Sequence, residues 1–152
     1  MATQLRPDPT FYPSPKLAME APREKFAFVA LLRPDHTRPD AIAVVDARPE
    51  SAAYGRTVHT VELSAVGDEL HHFGWNACSS MLCPTNGHPF TERRYLIVPG
   101  MRSSRLYIVD TKPDPTQARL VKVIEPEEMI RKTGSSRPHT VHCGPEGVYV
   151  ST

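Results

Sequence analysis

The chain has 152 residues, with 18 basic and 17 acidic side chains and a formal net charge of +1. A near-neutral chain without a basic tract lacks the electrostatic footprint of a nucleic-acid-binding protein, so we predict no nucleic-acid partner. Its 16 prolines are about twice the usual frequency of ~5%. Proline at this density disfavours long helices and favours short strands joined by rigid turns.

The sequence carries no membrane signal. No apolar stretch approaches the ~20 residues needed to cross a bilayer, and the N-terminal segment lacks the apolar core of a secretory signal. We therefore predict a cytoplasmic protein with no membrane span. The chain has three cysteines, Cys78, Cys83 and Cys143. Because their number is odd and their spacing uneven, we expect thiols or ligands rather than a disulfide framework.

Strand signals dominate from residue 26 onward. Residues 1–25 are rich in proline and are predicted to form an extended arm with one helical turn near Lys16–Glu20. Pro126–Gly134 is the helical candidate, with proline at its first position and glycine after its end. The predicted strands are short, rich in Val, Ile and aromatic residues, and bounded by turn residues. They are Phe26–Leu32, Ala41–Asp46, Arg56–Leu63, Arg94–Gly100, Arg105–Asp110, Ala118–Glu125 and Gly147–Thr152.

The strands recur in a repeat. Ala41–Leu63 and Arg105–Glu125 each contain an apolar strand that ends in Asp, a proline-bearing turn and an alternating strand that begins with a basic residue. Asp46 and Asp110 are 64 positions apart (110 − 46), and a His/Cys segment follows each unit. A repeat of this length is longer than the ~40–50 residues of an ordinary propeller blade but fits a blade with extended loops.

These patterns predict an all-β fold. A propeller blade cannot bury both faces alone, and about four are needed around an axis. Because the chain holds only two repeats and a fraction, we interpret residues 26–152 as a partial β-propeller truncated at the C-terminus, after the arm of residues 1–25. The alternative is a compact two-sheet sandwich, complete as it stands.

The candidate chemistry lies in the His/Cys segments that follow the repeated units. Imidazole and thiolate are the ligands that copper and zinc prefer, and equivalent positions on successive blades face a common axis. On a strand, His139 and Cys143 share one face and His142 lies on the other, which suits part of a ligand set completed from other blades. His71 and His72 are adjacent, so a strand would point only one of them inward. The alternative for each histidine is a surface or hydrogen-bonded structural role.

Two other catalytic templates are missing from the sequence. It contains no Gly-rich phosphate-binding loop and no G-x-S-x-G nucleophile elbow.

Several segments together resemble the selenium-binding protein family, which includes methanethiol oxidases. They are YPSPKLAMEAPREK, DELHHFGWNACSS, SSRLYIVDT, KVIEPEE and HTVHC, and the resemblance runs from Tyr12 to Thr152. It implies a seven-bladed propeller of which this chain is about the first two blades. It also implies a copper-dependent oxidase that converts methanethiol, oxygen and water to formaldehyde, hydrogen sulfide and hydrogen peroxide. The residues that it marks as metal ligands are His71, His72, His139 and His142.

The chain departs from the family pattern at one position. Animal members carry a cysteine, proposed to bind selenium, where this chain has Gly55. Cys78 and Cys143 are then the candidates for contact with a small thiol substrate or a selenium compound. The alternative functions are a selenium- or thiol-binding module without turnover and an inactive truncated fragment.

Overall fold

The computed structural model of the chain describes Tyr12 and residues 14–77, 92–144 and 147–152. Two of the cysteines singled out above, Cys78 and Cys83, lie outside the described residues, as does most of the N-terminal half of the predicted arm.

The described residues form short strands and two α-helices. Helix α1 spans Pro15–Glu20, with Ser14 as its N-cap, and α2 spans Pro126–Thr133. A short 3-10 helix covers Pro115–Gln117. The strands are β1 (Phe26–Leu31), β2 (Pro39–Asp46), β3 (Thr57–Val66), β4 (Gly74–Trp75), β5 (Tyr95–Gly100), β6 (Arg105–Asp110), β7 (Arg119–Ile124), β8 (Val141–Gly144) and β9 (Gly147–Val150).

These elements confirm a mostly β fold, whereas the partial β-propeller stays a prediction. All seven predicted strands are present, with bounds that shift by up to three residues, and α2 lies where the helix was predicted. Strands β4 and β8 were not predicted. None of the helices in the described ranges is long and apolar enough to span a membrane.

The strands pair antiparallel in three sheets. Their orders are β1-β2-β3, β4-β5-β6-β7 and β8-β9. Strands β2, β5 and β6 supply most of the buried core, which includes Ile42, Val44, Leu96, Val98 and Val109. On β3 only alternate side chains such as Val61 and Leu63 are buried, as expected of a strand with one solvent-facing side.

The predicted repeat appears as two equivalent hairpins, β2–β3 and β6–β7. In each, the Asp that ends the first strand is buried and accepts a hydrogen bond from the backbone N–H two residues later. Asp46 also accepts hydrogen bonds from the Arg48 guanidinium, and Asp110 accepts them from Arg94 and Arg119. The aspartates therefore fasten the turn that follows each first strand.

Candidate metal centre

The repeat brings two distant histidine segments together. His71 and His72 lie just before β4, and His139 lies just before β8. Strands β4 and β8 are in close contact, since a Cβ added to Gly74 would lie only 3.2 Å from Cγ1 of Val141. The segments that enter these two strands therefore meet, although His71 and His139 are 68 positions apart.

Three imidazoles form one cluster. One ring nitrogen from each of His71, His72 and His139 lies within 4.8 Å of the others. Nδ1 of His71 is 3.3 Å from Nε2 of His139, and the ring centroids of His72 and His139 are 4.5 Å apart. His71 and His72 are exposed and His139 is half-buried, so the cluster is open to solvent.

The spacing fits a shared metal ion. Two imidazole nitrogens that are each ~2.0–2.1 Å from one metal, at a tetrahedral angle, lie about 3.3 Å apart. The 3.3 Å between His71 and His139 matches this spacing, and His72, whose ligand atom lies within 4.8 Å of the other two, is the third candidate ligand. Three ligands would leave coordination positions open for an external ligand.

The far side of His71 contacts a carboxylate. Its Nε2 lies 2.7 Å from Oε1 of Glu69, and the other oxygen of Glu69 pairs with Arg102. The hydrogen bond with His71 and the Arg102 guanidinium hold the pKa of the Glu69 carboxyl below its ordinary value. An ionised carboxylate only accepts hydrogen bonds, so Nε2 of His71 carries the proton and a neutral His71 presents a lone pair at Nδ1, toward His139.

The segment around Glu69 is anchored on both sides. Asp68 is buried and accepts hydrogen bonds from the Tyr107 hydroxyl and the Ser103 N–H. A side chain at Gly100 would collide with the Asp68 carboxylate, because an added Cβ would lie 2.3 Å from it. Leu70 packs in the core, and the Glu69 N–H donates to the buried carboxylate of Asp40.

His139 is held by the β8–β9 hairpin. Its N–H donates to the carbonyl of Ser151, and the Ser151 N–H donates to the carbonyl of Thr140. On the ring, Nδ1 lies 3.1 Å from the Thr140 hydroxyl, which leaves Nε2 facing His71. The ring orientation is thus set by contacts on the side away from the cluster.

The structure does not bring His142 into this cluster. Its Nδ1 lies 2.6 Å from the carbonyl oxygen of Cys143, and its side chain is exposed on β8. His142 is therefore not among the clustered ligand atoms of the described residues, and its role as a metal ligand stays a prediction.

Cys143 differs from the expectation of a free thiol. It is buried and disulfide-bonded. An odd number of cysteines argues against a complete framework, but it does not prevent two of the three from pairing. The prediction for Cys78 lies outside the described residues.

Two supporting residues were missed by the sequence analysis, Glu69 and Arg102. A signal for Glu69 is present in DELHH, because residues i and i+2 of an extended segment share a face. No local pattern identifies Arg102, which reaches Glu69 from the turn after β5.

Cavities adjoin the cluster and the core. One of about 260 Å³ is lined by His71 and Glu69 together with Arg33, His36 and Arg102, among others. A larger one of about 790 Å³ has an aromatic wall and, among the described residues that line it, no histidine or cysteine. Among the described residues, the histidine cluster is therefore the group whose ligand atoms could hold a metal ion.

Comparison with known proteins supports the resemblance. The family model of the 56kDa selenium binding protein matches residues 5–152. The chain is 45% identical over 134 residues to selenium-binding protein 2 of Arabidopsis thaliana, covering 87% of this chain and 27% of that protein. It is 39% identical over 144 residues to methanethiol oxidase of Danio rerio, covering 93% of this chain and 31% of that enzyme.

A solved structure agrees in both sequence and shape. The chain is 61% identical, with a TM-score of 0.89, to a hypothetical selenium-binding protein from Sulfolobus tokodaii, covering 95% of this chain and 32% of that one. The chain thus spans roughly a third of the length of these relatives. With a match over nearly all its residues, the chain belongs to the 56 kDa selenium-binding protein family.

Proposed function

We propose that this chain contributes the metal-binding histidines of a copper-dependent methanethiol oxidase. The observation that carries the proposal is the cluster of His71, His72 and His139, whose ligand atoms lie within 4.8 Å of one another. The relatives named methanethiol oxidase give the reaction class.

The donor set favours copper. Imidazole nitrogen suits copper and zinc, and the Irving–Williams order places copper(II) above zinc for the same site. His71 would bind through Nδ1 and His139 through Nε2, with His72 as the third ligand. When bound, copper supplies a thiophilic Lewis acid and a redox centre.

The chain's own residues position and expose the site. Glu69 and Thr140 orient two of the imidazoles, and the exposure of His71 and His72 gives a small thiol access. The proposed reaction balances, since methanethiol, O2 and water give formaldehyde, hydrogen sulfide and hydrogen peroxide. The methyl carbon is oxidised by two electrons and O2 is reduced by two.

The architecture that we propose for the longer protein is a seven-bladed β-propeller in the cytoplasm. Support comes from the four-stranded antiparallel sheet β4–β7, which has the strand count of a propeller blade, and from β8–β9, which repeats the start of that sheet. His142 remains a candidate ligand to the same centre. The disulfide at Cys143 counts against the cytoplasmic part of this proposal, because structural disulfides are uncommon in a reducing cytoplasm.

A second candidate is selenium or thiol binding without turnover. It is favoured by the disulfide at Cys143, because an incoming thiolate or selenolate can attack a disulfide sulfur, which forms a mixed disulfide or selenosulfide as the original S–S bond breaks and the other cysteine leaves as a thiolate. Cys143 and Cys78 are the candidate contacts. Gly55 cannot provide this chemistry, and its φ of +74° is a conformation that a cysteine side chain disfavours.

The test is turnover by copper-loaded protein. Hydrogen peroxide and formaldehyde release from methanethiol would be measured for this chain and for a version extended by the downstream sequence. We expect His139→Ala to reduce turnover at least about 100-fold. That loss exceeds the 10–100-fold effect of mutating a residue that only hydrogen-bonds to a metal ligand. His59→Gln is the matched control, because His59 bonds the Ala118 carbonyl and is not one of the clustered histidines.

The outcomes separate the candidates. Turnover that is lost in His139→Ala and kept in His59→Gln supports the oxidase, and turnover only in the extended protein assigns this chain an incomplete site. Labelling of a cysteine by a small thiolate or selenolate, with no peroxide from either length of chain, would instead favour the binding module. Absence of both activities in the extended protein contradicts both candidates.

A further inference from the structure

We propose that Glu69 is the positioning residue of the histidine cluster, selecting the His71 tautomer that presents Nδ1 to the neighbouring imidazoles. The contact that carries the proposal joins Oε1 of Glu69 to Nε2 of His71 at 2.7 Å. The consequence for metal binding rests on the proposed function, whereas the choice of tautomer does not.

The tautomer follows from hydrogen-bond chemistry. A neutral imidazole carries one proton, and a carboxylate accepts without donating. Pairing Nε2–H with Glu69 therefore leaves Nδ1 with a lone pair, and this nitrogen is the one 3.3 Å from His139. Metal-binding histidines commonly donate their other N–H to such an outer carboxylate, which fixes the ring and strengthens the ligand.

The carboxylate itself is held in place. Arg102 pairs with the second oxygen of Glu69, and Asp40 accepts the Glu69 N–H at 2.9 Å. The backbone of Glu69 has φ of +62°, a left-handed conformation that a residue with a side chain adopts only where its surroundings enforce it. The chain thus maintains an unfavourable backbone conformation at the residue that reaches His71.

Glu69 acts through His71 rather than beside it. In the part of the chain that the structure describes, the group of converging ligand atoms comprises the three histidines and does not include the Glu69 carboxylate. The competing explanation is an ordinary surface ion pair with a protonated His71, which contributes little to stability. In that case both ring nitrogens of His71 would carry protons, and Nδ1 would be no ligand.

The first measurement is the tautomer of His71 in metal-free protein, from its two ring-nitrogen chemical shifts at a pH of about 8.5, two units above the ordinary histidine pKa of ~6.5. We expect a protonated Nε2 and an unprotonated Nδ1 in the unaltered chain. Glu69→Ala should give a mixture of tautomers, and Glu69→Gln should keep the original one, because its amide oxygen still accepts. Glu62→Ala is the control, an exposed glutamate 3.8 Å from Arg38.

The second measurement is copper(II) affinity by competition with a chelator. Glu69→Ala should weaken binding about 10–100-fold, Glu69→Gln less, and Glu62→Ala not at all.

A protonated Nδ1 in the unaltered chain, an unchanged tautomer in Glu69→Ala or an unchanged affinity in that variant would each overturn the inference. If no variant binds copper, the proposed function fails, while the tautomer result still decides the role of Glu69. If Glu69→Ala does not fold, the unaltered chain and Glu69→Gln still give the decisive tautomers.

Discussion

At the scale of single residues, the hydrogen bond between Tyr107 and Asp68 fixes the segment that leads into the histidine cluster. The Tyr107 side chain is fully buried, and its hydroxyl lies 2.5 Å from Oδ2 of Asp68, one position before Glu69. Burial, together with the hydrogen bond to Asp68, raises the pKa of Tyr107 to about 12. The hydroxyl therefore remains a neutral donor to the carboxylate across the ordinary pH range.

Removing that hydroxyl should destabilise the chain. We expect Tyr107→Phe to lower the free energy of unfolding by about 1–3 kcal/mol, because a buried carboxylate oxygen loses its partner. Denaturant unfolding at neutral pH measures the change. Tyr149→Phe is the matched control, since Tyr149 is exposed on β9. Equal stabilities for the two variants would show that the Tyr107 contact contributes nothing.

At the scale of elements, the two equivalent hairpins depend on their buried aspartates. Hydrogen bonds from Arg94, with the charge of Arg119, hold the pKa of Asp110 below its ordinary value. Arg48 and Ser51 do the same for the pKa of Asp46. A carboxyl whose pKa is lower in the folded state stabilises the fold above its unfolded pKa of ~3.9 and loses that effect as the pH falls through its folded pKa.

Asp110→Asn should therefore have a pH-dependent effect. Its stability deficit relative to the unaltered chain should be largest near neutral pH and should begin to shrink as the pH falls below the unfolded pKa of ~3.9, because Asp110 is then protonated in the unfolded chain. The deficit should disappear as the pH falls through the lower folded pKa of Asp110. Urea unfolding across this range measures it. Glu50→Gln, at an exposed position after β2, serves as the control. A deficit that stays constant down to pH 2 would contradict the assignment.

The elements also show what local sequence can predict. Strand β6 has the bounds predicted for it, because Val, Ile and Tyr fill it and Asp110 ends it. Helix α2 ends before Gly134, whose φ of +73° suits glycine. Strands β4 and β8 were missed because they have only two and four residues and contain glycine. They are strands because β5 and β9 pair with them, which is a tertiary property.

At the scale of the whole molecule, the repeat assembles the site. The two histidine segments were predicted to meet because they follow equivalent units, and His71, His72 and His139 do converge. The alternation rule for a strand does not apply to His71 and His72, because they precede β4 rather than lie within it. Glu69 was missed because its role depends on a backbone conformation and on Asp40, 29 positions away.

The chain covers only part of the length of its relatives, and this affects how its activity should be measured. It spans 27% of the Arabidopsis protein and 31% of the Danio rerio enzyme. A centre with three histidines and open positions can accept ligands from the remaining sequence as well as a substrate. Turnover is therefore a property to be measured with the downstream sequence present, whereas copper binding by the cluster can be measured on this chain.

The most direct test is a copper(II) competition titration of the unaltered chain, of the single variants His71→Ala, His72→Ala and His139→Ala, and of His59→Gln. We expect one tightly bound copper per unaltered chain, weaker binding in each of the three cluster variants and unchanged binding in His59→Gln, with all variants folded. Copper bound equally well by all the variants, or not bound by the unaltered chain, would contradict the claim that these histidines form a metal centre.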